Sequence, residues 1–416
     1  MIDCINIFKL NKKFLFMASV DSLSKVTRVS ERALRSPPSA IASLREEVVS
    51  LLSKGQKVID LSSGDFYQDI EYPGFKKNMH NSIDTKYHRY PHSKGLVPTR
   101  NNILSLLLNE GFTNLNIEDI LITNGGIQAL DNISHVILDL PIIIPTPFWG
   151  PVVSQNQPFR TILYSHLTQN LQLDLNHIEN LLTQNDISAI YVNSPHNPTG
   201  TVFSKTSLEN IVHLSSQHKV PIIFDEAYDG LVYDEEQDFS PSEFLDLENS
   251  FLVRSFSKSH SLSGYRIGYL VTRNKVYMSH LANRQLLSTS GVNSPTQDSM
   301  ATLDLVSSLP DVRDYYKVKR NILMELAKVN GFSIDKPPEG AIYLWIRIGI
   351  PKEIPVSQRD DYGINLLKSL ETPVFACRGT DFGPGYSDYI RLAFSVASPE
   401  ELKQVVEMAS EKYGFK

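Results

Sequence analysis

The chain alternates short apolar runs with longer stretches in which apolar residues recur at helical spacing. Residues 21–57 read as helix-rich and amphipathic, with Ile41, Leu44, Val48, Leu51 and Leu52 near one face. Further on, the runs shorten and each ends on a polar or turn-forming residue. Ile120-Leu121-Ile122-Thr123 precedes a Gly-Gly pair, Ile142-Ile143-Ile144 ends at Pro145, and Ile187 to Val192 stops at Asn193. Pro221 to Phe224 stops at Asp225, and Phe251-Leu252-Val253 stops just before Ser255. Runs of this length with such boundaries predict buried strands. Between the third and fourth lies a helix signal: Thr206 and Glu209 form a capping box, and Leu208, Ile211, Val212 and Leu214 share a face. Strand, helix and strand in this rhythm predict an α/β fold with a doubly wound, largely parallel sheet. Tyr269 to Thr272 follows the fifth run too closely for a helical crossover and is expected to run antiparallel.

Towards the C-terminus the mixture changes. Residues 311–330 read as helix, whereas Gly340 to Ile346 and Tyr389 to Phe394 read as strands. The expected organisation is a large domain over 61–309 and a smaller α+β domain built from 21–60 plus 310–416. Residues 1–20 are expected to be a tail. Their Lys9, Lys12 and Lys13 before Phe14-Leu15-Phe16-Met17 resemble a signal peptide, but the apolar stretch is too short, and Met17 is an alternative start.

Composition narrows the function classes. With 416 residues, 41% of them apolar and 21% charged, the chain is long enough for more than one core. Its net charge of −6 argues against nucleic acid or an anionic membrane as the main partner. The two cysteines, Cys4 and Cys377, are too far apart to form a disulfide framework and fit a reducing cytoplasm. Eleven histidines include no HExxH pair, so no metal site is expected.

The residues that follow the strands carry the candidate chemistry, and in such sheets ligands bind beyond the carboxyl ends of the strands. Lys258 lies in Ser255-Phe256-Ser257-Lys258-Ser259-His260-Ser261-Leu262-Ser263-Gly264-Tyr265-Arg266-Ile267-Gly268. An unprotonated, restrained lysine condenses with an aldehyde, and small neighbours let a planar cofactor approach. Ser255, Ser257 and Arg266 suit a phosphate dianion. By itself, Lys258 reads more readily as a surface lysine in a serine-rich loop. Asp225, in Phe224-Asp225-Glu226-Ala227-Tyr228, ends an apolar strand, where a carboxylate keeps a pyridine nitrogen protonated or, more simply, caps a helix. Tyr228 and Asn197, the latter in Asn193-Ser194-Pro195-His196-Asn197-Pro198-Thr199-Gly200, are placed to reach a ring oxygen. Asn124-Gly125-Gly126-Ile127 opens a helix after a strand, which makes an anion site of its amides.

Asn197-Pro198-Thr199-Gly200, Asp225-Glu226-Ala227-Tyr228 and Ser255-x-Ser257-Lys258 through Gly264-x-Arg266-x-Gly268 resemble the class I/II aminotransferases of fold type I. The likeness runs over about residues 60–400, in the family's order. It implies a mostly parallel seven-stranded sheet sandwiched by helices, pyridoxal 5′-phosphate as cofactor, and an amino acid and a 2-oxo acid as substrates. Lys258 would be the Schiff-base lysine and proton shuttle, with Asp225 at the ring nitrogen and Asn197 and Tyr228 at the ring oxygen. Ser255, Ser257, Arg266 and the backbone of Gly126 and Ile127 would hold the phosphate. Trp149 would stack on the ring, with Phe148 a close competitor. Tyr90 resembles the tyrosine that reaches the phosphate of a neighbouring subunit, which implies a homodimer with shared sites. Arg391 would clamp the substrate α-carboxylate, beside Asn197 and Gly64.

The chain departs from this pattern in places. Gly64-Asp65-Phe66 stands where Gly-x-Pro is usual, so the lid around Phe66 to Tyr72 is expected to differ in shape. Cys377-Arg378-Gly379 replaces the usual Pro-Gly and adds a cation near the expected substrate mouth. Ile127 stands where related prokaryotic aspartate aminotransferases often carry a lysine, and residues 285–312 contain no arginine to read a second carboxylate. A neutral or aromatic amino acid is therefore expected ahead of an acidic one. A C–S lyase, an aminocyclopropane-carboxylate-synthase-like cyclase or a decarboxylase would use the same residues. A non-catalytic regulatory module would need a basic helix-turn-helix, which residues 1–60 lack.

Overall fold

The protein is described by a computed structural model covering residues 40–65, 72, 74–85, 89–306 and 309–416. The expected tail, the first part of the N-terminal helical stretch and most of the lid around Phe66 to Tyr72 lie outside these residues.

The helix Ala40–Ser53 leads into a two-residue strand, β1 (Ile59–Asp60). Seven strands then form the central sheet. They are β2 (Ile120–Thr123), β3 (Ile142–Thr146), β4 (Ile162–His166), β5 (Ala189–Asn193), β6 (Ile222–Glu226), β7 (Ser250–Ser255) and β8 (Gly268–Val271). Their order across the sheet is β2-β8-β7-β6-β5-β3-β4. β3 through β7 pair in parallel, while β8 runs antiparallel to both β7 and β2. The antiparallel strand is the one whose connection is too short for a crossover, as expected.

Both faces of this sheet are covered. Ile120 and Ile122 pack into one core with Ile190, Val192, Phe224 and Leu252, whereas Leu121 enters a second core with Tyr191, Ile223, Phe251 and Val253. Alternating residues thus meet two different apolar layers, which explains why the strands read as continuous apolar runs rather than as alternations. β4 left no such run because its edge position leaves Ile162, Leu163 and Tyr164 only half-buried.

The capping box expected at Thr206 and Glu209 is not the one that forms. Helix Lys205–His218 starts two residues earlier, and its cap is Ser204, whose hydroxyl accepts from the Ser207 N–H. Ser204 holds the extended conformation required of a cap (φ −60°, ψ 147°), which a residue already inside the first turn cannot adopt.

The C-terminal part has its own sheet and core. The helix Leu309–Met324 continues as a 3-10 turn to Lys328. It is followed by β9 (Phe332–Ser333), β10 (Tyr343–Ile348), β11 (Val374–Phe375), β12 (Cys377–Arg378) and β13 (Tyr389–Ala393). A four-stranded sheet runs β12-β13-β10-β9, and β11 pairs in parallel with β1. The strand expected from Gly340 begins only at Tyr343, because Gly340 instead bridges Val232 of the other part. Helix Ala40–Ser53 buries Val48 and packs Ile41 and Leu44 beside Trp345, Cys377 and Phe382, but Leu52 remains exposed.

Candidate active site

The parallel strands deliver Thr123, Thr146, Asn193, Asp225 and Ser255 to one edge of the sheet. β8, running the other way, begins at the same edge with Gly268, two residues after Arg266. A cavity of about 470 Å³ opens there. Gly64, Gly126, Ile127, Trp149, Asn197, Asp225, Tyr228, Ser255, Ser257, Lys258, Arg266 and Arg391 all line it. Tyr90, also expected at the site, stands elsewhere: it is 89% exposed and outside the cavity wall. Trp149 rather than Phe148 faces the cavity, since Phe148 is buried and stacked on Tyr164 at 5.2 Å.

Asp225 occupies the floor. Burial pushes its carboxyl up to about 6, while hydrogen bonds from the Tyr191 hydroxyl (2.6 Å) and the Ala227 N–H (3.0 Å) favour the ionised form. Beside it a chain of polar groups crosses the cavity. The Tyr343 and Tyr228 hydroxyls lie 2.8 Å apart, Asn197 Nδ2 donates to Tyr228 at 3.1 Å, and Arg391 Nη1 donates to Asn197 Oδ1 at 3.2 Å. Asn197 is itself held by its N–H donating to Asn193 Oδ1 at 2.8 Å.

Lys258 sits on a short helical turn, Phe256–Ser259, capped by Ser255. Its ammonium donates to the carbonyl of Gly64. Burial first, and then the charges of Arg391 and Arg266, lower its pKa to about 8, while Asp65 opposes them. The free amine that condensation with a carbonyl requires is therefore far more accessible near neutrality than on an ordinary lysine. Ser255 and Ser257 hydroxyls are 2.8 Å apart. Arg266, in the left-handed conformation, is anchored through the Ser263 carbonyl at 2.8 Å. Opposite begins the helix Gly125–Val136, whose N-cap Asn124 offers no side-chain cap. Gly125 must be glycine: its φ is +73°, and a β-carbon would sit 2.8 Å from Arg266 Nη2.

Arg391 is almost fully buried on β13. Its Nη2 donates to the Ser62 carbonyl at 2.6 Å and lies 3.2 Å from Cys377 Sγ. The Tyr343 and Phe382 rings flank the guanidinium at 4.3 and 4.8 Å. Arg391 Nε has no hydrogen-bond partner despite its burial. A buried cation that lines the cavity beside Asn197, and still has one unpaired donor, fits a carboxylate ligand. Likewise Asp225 on the floor, the serines and Arg266 opposite a helix N-terminus, and a lysine of lowered pKa fit pyridoxal phosphate.

Several wall residues escaped the sequence reading. Tyr343 lies within an apolar run, as does Tyr191, which is not in the wall but holds Asp225 from behind it; a hydroxyl within each run is the one available signal. Arg45 and Ile41, one turn apart on helix Ala40–Ser53, also line the cavity, as does Asp65. Arg378, expected near the mouth, is instead paired with Asp361 at 2.8 Å and is not in the wall.

Comparison with known proteins places the chain in a family. The chain is 28% identical to the aspartate aminotransferase of Thermotoga maritima, over 77% of this chain and 85% of that protein. It is 25% identical to the aspartate/prephenate aminotransferase of Thermus thermophilus, over 91% and 97%. The crystal structure of the Thermotoga enzyme superposes with a TM-score of 0.80 at 26% identity, covering 92% of this chain and 99% of that one. An alanine aminotransferase from Pyrococcus furiosus gives a TM-score of 0.82 at 24% identity, with 93% and 99% covered, and shares the fold. Residues 56–408 match the family described as aminotransferase class I and II. The chain belongs to that family, and is therefore a pyridoxal-phosphate-dependent transaminase of the aspartate aminotransferase fold.

Proposed function

We propose that amino-group transfer in this protein runs through Lys258, which carries both the covalent attachment of the cofactor and the movement of the substrate proton. The observation that supports this most is that a lysine with its pKa lowered to about 8 shares one cavity with Asp225 and Arg391. Pyridoxal phosphate, when bound, supplies the electron sink for the carbanion left at the substrate Cα. Asp225 is assigned to the ring nitrogen, Asn197 and Tyr228 to the ring oxygen, and Trp149 to the ring face. The amides of Gly126 and Ile127, with Ser255, Ser257 and Arg266, are assigned to the phosphate. Arg391 and Asn197 orient the substrate by its α-carboxylate, against the backbone of Gly64. Freed by the substrate amine, Lys258 Nζ would take the proton from the substrate Cα as general base and then, as general acid, deliver it to the cofactor carbon that bears the aldehyde in the free cofactor.

Two further parts of the reading concern assembly and place. A homodimer with shared sites accounts for Tyr90, a large aromatic that stands clear of its own cavity, and for the exposed Leu287 (75%). Sedimentation analysis together with restoration of activity by mixing Lys258→Ala and Tyr90→Ala chains tests it. A division into 61–309 and 21–60 plus 310–416 is supported by the separate sheets and by the pairing of β1 with β11. A cytoplasmic location is supported by the buried free thiol of Cys377. No helix among the described residues is long and apolar enough to cross a membrane.

The reaction is tested by adding amino acids to the holoenzyme and following cofactor absorbance and product. Conversion of the cofactor to its aminated form with one equivalent of 2-oxo acid is expected. Pyruvate and ammonia without that conversion would replace the assignment with a lyase.

A further inference from the structure

Among the described residues, four cationic side chains line the cavity: Arg45, Lys258, Arg266 and Arg391. Three have been accounted for, by the phosphate, the α-carboxylate and the cofactor. Arg45 has not. It projects from helix Ala40–Ser53 one turn after Ile41, which also lines the wall. Its ion pair is with Asp65 at 3.9 Å, the outer limit of such a contact, and the two side chains are 64% and 39% exposed. Exposed pairs of this kind contribute at most about 1 kcal/mol, so a ligand anion displaces Asp65 at little cost. Asp65 keeps a second partner, since the Ser263 hydroxyl donates to its Oδ1 at 2.7 Å.

The loop after β1 sets the spacing. Arg391 holds the carbonyl of Ser62, Lys258 holds the carbonyl of Gly64, and Arg45 meets the side chain of Asp65. Three cations therefore engage one four-residue loop in sequence order, the ends of which lie at most about 10 Å apart in an extended chain. Ile41, Ile127 and Arg45 line the same cavity as Arg391 and Lys258, so they belong to the wall that a bound substrate's side chain would meet.

We infer that Arg45 is a specificity-determining residue that recognises an anionic group at the end of the substrate side chain, a carboxylate or a phosphate ester. This rests on the transaminase reading of the site and deepens it. It departs from the neutral or aromatic substrate expected from Ile127 and from the lack of arginine in residues 285–312. The missing cation comes from the N-terminal helix, far away in sequence. The apolar stretch of the wall, with Ile41, Ile127 and Leu130, suits the methylene groups between the two charged ends.

The test uses the holoenzyme and its Arg45→Gln and Arg45→Lys variants. The kcat/KM of the first half-reaction is compared for aspartate, glutamate and phosphoserine against asparagine, glutamine and leucine. A charged hydrogen bond of about 1.5–3 kcal/mol corresponds to a factor of roughly 10–150. The wild-type preference for an acid over its amide is expected to fall by that factor in Arg45→Gln and to be largely retained in Arg45→Lys. Which acid responds distinguishes a carboxylate from a phosphate ligand. Equal losses for acids and amides, or an unchanged ratio, would overturn the inference and leave Arg45 a structural residue. Failure of every amino acid, acidic or not, to convert the wild-type cofactor would instead refute the transaminase reading itself.

Discussion

Tyr191 donates its phenolic hydrogen to Oδ2 of Asp225 across adjacent parallel strands, at 2.6 Å, although its register partner is Ile223, two residues earlier. The two side chains share a face of the sheet because strand residues repeat every second position. This bond and the Ala227 N–H are what restrain a buried carboxyl that desolvation pushes up to about 6. Asp225 is ionised above that pH and takes a proton as pH falls through it, losing its hold on a pyridinium. Tyr191→Phe removes a bond to the ionised form, so the pKa rises and the acid limb of kcat moves to higher pH. A shift of about one unit corresponds to about 1.4 kcal/mol, and a kcat–pH profile reads it.

Lys258 reports on its surroundings through the same logic with the opposite sign. The rate at which pyridoxal phosphate combines with the cofactor-free chain is expected to rise with pH through about 8, as the amine loses its proton. Asp65 holds the proton on, so Asp65→Asn is expected to move that midpoint down, measured by absorbance during reconstitution. Lys258→Ala is expected to remove the covalent cofactor band altogether, and a surviving band would mean that the attachment site is elsewhere.

Arg391 works through its planar fork, two of whose nitrogens are already committed to Asn197 and Ser62. Arg391→Lys keeps the charge but loses this geometry. KM for the amino acid is expected to rise by a factor of roughly 10–150 with a smaller change in kcat. Steady-state kinetics with saturating cofactor measure the split.

Gly64 is needed for a reason unrelated to backbone freedom. A β-carbon there would overlap the hydroxyl of Tyr343, which is buried and bonded to Tyr228. Gly64→Ala is expected to cost about 1–3 kcal/mol by overpacking. Adding Tyr343→Phe, which removes the overlapping oxygen, is expected to recover part of that in a denaturant double-mutant cycle.

What the sequence determined was the central frame and the local chemistry attached to it. Apolar runs ending at Asn193, Asp225 and Ser255 located those residues at strand ends, because a strand covered on both faces must be apolar until it leaves the sheet. The motifs around Asn197, Asp225 and Lys258 sit within a few residues of those ends, so their chemistry travelled with the strands. The edge strand β4 and the cap at Ser204 were less legible, since neither depends on a deep apolar pattern. Tertiary structure alone decided which distant side chains complete the cavity. Tyr191 meets Asp225 only through strand pairing, Tyr343 of β10 meets Tyr228 in the turn after β6 only through tertiary packing, and Arg45 enters from a helix some 200 residues before Lys258. None of these pairings leaves a local trace, because each is set by how separate layers pack rather than by neighbours along the chain.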